Sequence, residues 1–83
     1  MSKELIVSEK ALARLAKVVR IKAGKRKAEI ALAMGVSRPT IYHAEESPER
    51  SLTQLRIRII EAYSDVRAVG PLFRLEKKKR EEL

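Results

Sequence analysis

Cysteine is absent from the 83 residues, which excludes a disulfide framework, a thiolate nucleophile and a Cys-ligated zinc. His43 is the single histidine, too few for a metal site, so neither metal nor cofactor is expected. Tryptophan is also absent and the aromatics are Tyr42, Tyr63 and Phe73, a poor supply of the stacking platforms that bind single-stranded RNA. No nucleophile has a plausible neighbouring base, and neither a carboxylate pair nor a glycine-rich phosphate loop occurs, so an enzyme is not expected. Uninterrupted apolar stretches such as residues 5–7 are a few residues long, against the roughly 20 needed to cross a bilayer. The expected setting is cytoplasmic, without a membrane. A chain this short supports one hydrophobic core at most.

Charge of one sign is in excess. Nineteen Lys and Arg against 11 Asp and Glu give a net charge of +8, which points to a polyanionic partner. The excess is uneven. Residues 10–43 hold nine bases (Lys10, Arg14, Lys17, Arg20, Lys22, Lys25, Arg26, Lys27 and Arg38) against one acid, Glu29. Residues 44–83 nearly cancel, with nine bases against eight acids, so the basic face belongs to the first half.

Apolar periodicity predicts helices. Ser8 is an N-cap for a first helix whose Leu12, Leu15, Ala16, Val19 and Ala23 recur at helical spacing up to Gly24. Ala28, Ile30, Ala31 and Met34 mark a short second helix that stops at Gly35. Ser37 caps a third, with Pro39 tolerated in its first turn, Ile41 and Ala44 facing inward, and an end near Ser47 and Pro48. Ser51 followed by Gln54 reads as a capping box for a fourth helix with Leu52, Leu55, Ile59, Ala62 and Tyr63 on its apolar stripe. Ile57 and Ile60 widen that stripe and are assigned to a dimer interface, the alternative being a fully buried helix. Residues 64–83 form a tail for dimerisation or partner binding, with Leu72, Phe73 and Leu75 as its apolar cluster. Its structure stays open between a short strand around Arg74 and Leu75 and a helix beginning at Pro71; residues 5–7 are a candidate pairing strand.

The spacing Lys27-x-x-Ile30-Ala31-x-x-Met34-Gly35-Val36-Ser37-x-x-Thr40-Ile41 describes two helices joined by a tight turn. Small Ala31 admits close approach, Gly35 permits the turn, and Val36 and Ile41 fill the angle between the helices. This pattern resembles the helix-turn-helix of the Cro-like phage repressors, the lambda-repressor-like or XRE-type family, over residues 8 to about 63. The resemblance implies an all-α, four- to five-helix DNA-binding domain in residues 1–63, with residues 64–83 appended. It also implies an ion pair between Arg20 and Glu45. On the same basis Arg38, Pro39, Thr40, Tyr42 and His43 face bases in the major groove. Arg26, Lys27, Ser37 and Arg50 meet phosphates. Two departures are plain: Lys27 replaces the family's usual glutamine and meets a phosphate as a point charge, and Pro39 offers only apolar contact.

The expected function is a dimeric, sequence-specific DNA-binding repressor on an inverted-repeat operator, of the kind found on bacterial, plasmid or phage promoters. It would be associated with the nucleoid. The alternative is an antitoxin that neutralises a partner protein through its tail and represses its own promoter.

Overall fold

The computed structural model describes residues 5–6, 8–69 and 74–77, with side chains described for residues 8–67. Its body is four helices: α1 (Glu9–Lys22), α2 (Lys27–Met34), α3 (Arg38–Glu46) and α4 (Thr53–Tyr63). Three short strands, β1 (Leu5–Ile6), β2 (Val66–Val69) and β3 (Arg74–Lys77), form an antiparallel sheet in the order β1-β3-β2.

The helix ends follow the local chemistry. The Ser8 hydroxyl accepts from the Ala11 amide at 3.2 Å, and the Ser37 hydroxyl accepts from the Thr40 amide at 3.3 Å, each satisfying a first-turn N–H that has no helical partner. Gly24 and Gly35 both adopt positive φ, 71° and 72°. Each closes its helix with a pair of reversed bonds: Gly24 N–H to Ile21 O and Lys25 N–H to Arg20 O after α1, Gly35 N–H to Leu32 O and Val36 N–H to Ala31 O after α2. The second closure leaves only Gly35, Val36 and Ser37 between α2 and α3, so the two helices meet at a fixed angle.

The core is made by Leu12 and Ala16 of α1, Ile30 and Ala31 of α2, Ile41 and Ala44 of α3, and Leu55, Ile57, Ile59 and Ile60 of α4. Met34 and Val36 pack against its edge, filling the angle between α2 and α3. Helix α1 packs most extensively on α4. A fully buried isoleucine contributes about 1.5–3 kcal/mol through area removed from water, so the three isoleucines of α4 are a principal source of stability.

Three expectations change. Ile57 and Ile60 are 8% and 1% exposed, so the apolar surplus of α4 serves the chain's own core rather than a dimer interface. The Ser51–Gln54 capping box does not form: α4 begins at Thr53 with Leu52 as its N-cap and no side-chain cap bond. The preceding loop is wound on itself through Arg50 N–H to Ser47 O and Leu52 N–H to Arg50 O, which leaves Ser51 outside the helix. Ala62, placed on the apolar stripe, is exposed.

The segment after α4 takes the strand alternative. Leu75 lies on the central strand, paired with Leu5 on one side and Ala68 on the other. Residues 5–6 therefore share one sheet with residues 66–69 and 74–77. Leu72 and Phe73 lie outside the described residues. No described helix is long and apolar enough to cross a membrane.

Candidate nucleic-acid interface

The turn between α1 and α2 carries Lys25, Arg26 and Lys27 into the N-terminus of α2, where unpaired amides and the helix dipole favour negative charge. Glu29 turns back there, its carboxylate accepting from the Arg26 amide at 2.8 Å. That bond, aided by the nearby Arg26 and Lys25 charges, holds the Glu29 carboxyl below its ordinary value. The N-terminus of α3 opens beside it. Arg38 and Pro39 in the first turn of α3 and Tyr42 in the next are exposed and line, with Lys27, one shallow concavity. An adjoining depression is lined by Arg20, Arg26, Lys27, Ala28 and Arg38. Lys27 and Arg38 belong to both, so the two depressions form one basic surface, and no acidic side chain lines either of them.

The structure thus brings together Arg26, Lys27, Arg38, Pro39 and Tyr42. Other expected site residues are partly committed elsewhere. The Ser37 hydroxyl caps α3 and lies 2.8 Å from the Thr40 hydroxyl, so both hydroxyls already have partners. His43 is half-buried, with Nδ1 3.0 Å from the Ser47 hydroxyl and its ring edge-on to Tyr42 at 5.4 Å between centroids. Nε2 is the ring nitrogen that remains for an outside partner. Arg50 is exposed in the loop after α3, at the opposite end of that helix from Arg38.

Two buried arginines fix α3 from behind. Arg20 on α1 meets Glu45 on α3 in a two-pronged contact, Nε to Oε2 at 2.6 Å and Nη2 to Oε1 at 3.1 Å, and Nη1 donates to the Lys25 carbonyl at 2.9 Å. Arg20 and Glu45 are 8% and 5% exposed. The planar fork matches the carboxylate, which orients α3 on α1 and ties the α1–α2 turn to both.

The second arginine, Arg56 on α4, has no exposed surface. Its Nε donates to Ala44 O at 2.8 Å, Nη2 to Ser47 O at 2.7 Å, and Nη1 to Arg50 O at 3.1 Å and to Glu9 Oε1 at 2.7 Å. Glu9 also accepts from the Thr53 hydroxyl at 2.6 Å. Helix α3 ends with carbonyls that lack helical partners, and Arg56 takes up that of Ala44 together with those of the C-cap Ser47 and of Arg50 in the following loop. Arg56 is not among the residues expected from the sequence, although position 56 lies one helical turn before Ile59 and Ile60, on the buried side of α4.

Comparison of the chain with protein-family models, with curated proteins and with solved structures gives no match.

A third ion pair joins α1 to the last turn of α3. Lys17 Nζ lies 2.7 Å from Glu46 Oε2, with both side chains partly exposed. The bond raises the Lys17 ammonium above its ordinary value and lowers the Glu46 carboxyl below its own. Among the described residues no group of His, Cys, Asp and Glu could hold a metal ion.

Proposed function

We propose that the chain is a sequence-specific DNA-binding transcriptional regulator that sets α3 into the major groove, with α2, the Gly35 turn and α3 acting as a helix-turn-helix. The observation that carries this reading is the shared basic surface of Lys27 and Arg38, contributed by two helices whose N-termini open side by side. Arg38 reads a guanine, because its fork fits the two acceptors on that base's major-groove edge. Pro39 and the Tyr42 ring offer apolar contact to a thymine methyl. Thr40 and the Nε2 of His43 are secondary contacts, since the Thr40 hydroxyl and His43 Nδ1 are engaged within α3 and its cap. Arg26 and Lys27 take backbone phosphates, and Ser37 contributes through the amide end of α3. Arg50 meets the backbone from the loop after that helix.

One such unit reads only a few base pairs, too little to select a site among a genome's competitors. The regulator therefore acts as a two-fold dimer, with half-sites about 34 Å, or about 10 base pairs, apart. Ile57 and Ile60 lie inside the core, so contact between copies is assigned to the strand end of the molecule around Leu75. The reading places the protein in the compartment that holds the DNA, where occupancy of a promoter represses it.

Selection of duplexes from a random library tests this, followed by titration of the recovered duplex and a scrambled one at fixed salt. The expected outcome is an inverted repeat bound at least about 10³-fold more tightly than the scrambled duplex. Equal affinity for the two overturns the reading.

A further inference from the structure

Lys10, Arg14 and Lys17 lie at i, i+4 and i+7 of α1 and so share one face of that helix. Like charges at this spacing repel and cost the helix a few tenths of a kcal/mol per pair, so the stripe does not serve the helix itself. It lines, with Ala13, a groove whose other wall is the C-terminal end of α3: Glu45, Glu46 and Pro48. Both acids in that groove are already matched, Glu45 by Arg20 and Glu46 by Lys17. Glu9, beside Lys10 in sequence, is held by Arg56 and Thr53. Lys10 and Arg14 are both exposed, and among the described residues neither has an acidic partner. They are the uncompensated charge of the groove.

We infer that Lys10 and Arg14 form a second phosphate-binding rail, for the DNA strand across the groove from the one held by Arg26 and Lys27. This rests on the function proposed above. Arg26 and Lys27 lie beside the N-terminus of α3, and Lys10 and Arg14 lie beside its C-terminal end, so basic charge flanks at both ends the helix that enters the groove. Arg38, Tyr42 and Glu46 follow one another at i, i+4 and i+8 on α3, so the Lys17–Glu46 pair continues the exposed stripe that begins at Arg38. That pair leads from the basic surface of α2 to the stripe on α1 without leaving a bare carboxylate between them.

The test compares wild type with the double variant Lys10→Gln/Arg14→Gln in titrations of the selected and scrambled duplexes between 50 and 300 mM salt. Each lost phosphate contact lowers the slope of log affinity against log salt by about 0.9, so the double variant should lose about 2 from the slope, equally on both duplexes. Its thermal midpoint should be unchanged or higher, because a like-charge pair has been removed. An unchanged slope overturns the inference. So does a loss confined to the selected duplex, which would make the two residues base readers, or a midpoint lowered by several degrees, which would make them supports of the fold. A wild type with a steep slope but no sequence preference removes the regulator reading alone, and the change in slope still decides the rail. A wild type that does not bind duplex DNA overturns both.

Discussion

Removal of the Arg20 guanidinium leaves Glu45, 5% exposed, as a buried charge with no fork to meet it. Such a loss costs about 3–5 kcal/mol, and the depth of this pair places Arg20→Ala in that range although both residues lie near helix ends. Arg56→Ala should cost at least as much, because it removes from a site with no exposed surface the bonds to Glu9 and to the carbonyls of Ala44, Ser47 and Arg50 together. Arg56→Lys keeps the charge but not the fork, and should recover only part of the loss. Thermal and denaturant melts of the three variants check the order. Since a domain's whole stability is about 5–15 kcal/mol, a melt of Arg56→Ala matching wild type would show that the guanidinium network contributes nothing net. The two arginines differ in how legible they were. Arg20 is legible through a resemblance that implies its partner as well. Arg56 was hidden because its partners are mostly backbone carbonyls, which have no side-chain signature in a sequence.

Helix ends are legible in the sequence where a residue acts on its own turn. Ser8, Ser37, Gly24 and Gly35 each do their work within three or four residues, and the structure has them where the sequence placed them. The start of α4 is not legible from Ser51 and Gln54 because a longer-range contact competes there: the Thr53 hydroxyl donates to Glu9 on α1, and Arg56 gathers the loop carbonyls. The sheet was undecided for a related reason. Strands of two and four residues carry little period, and β3 is defined by partners in β1 about 70 residues away in sequence and in β2 between 5 and 11 residues away. The face itself was legible through Lys27 and Arg38, while the local engagement of Thr40 and His43 was not, since hydroxyl and ring partners depend on the rotamers each turn selects.

The N-terminus of α2 offers a pH test on the same face. The folded-state value of Glu29 lies below 4.5, so its capping bond contributes fully above that value and is lost as pH falls through the lowered one. The Arg26 amide should titrate with it in an NMR pH series, with a midpoint below the ordinary carboxylate value. A midpoint at or above 4.5 would contradict the bond.

For the whole molecule, net +8 concentrated in residues 10–43 sets how the domain meets a polyanion, while the buried face of α4 sets how it holds together. The two roles separate experimentally. Ile60→Ala should destabilise the fold by about 2–5 kcal/mol through the cavity it leaves, with the sedimenting mass unchanged at temperatures where the protein stays folded. A shift to half the mass would return Ile60 to the interface. The central claim is that Arg38 reads a base from α3 while Lys27 meets the backbone from α2. Its most direct test is one site selection run in parallel on wild type, Arg38→Ala and Lys27→Ala. Arg38→Ala should relax preference at one guanine per half-site and weaken the best site by about 1–3 kcal/mol, whereas Lys27→Ala should keep the wild-type preference and bind all sequences less tightly. An unaltered preference in Arg38→Ala would contradict the account.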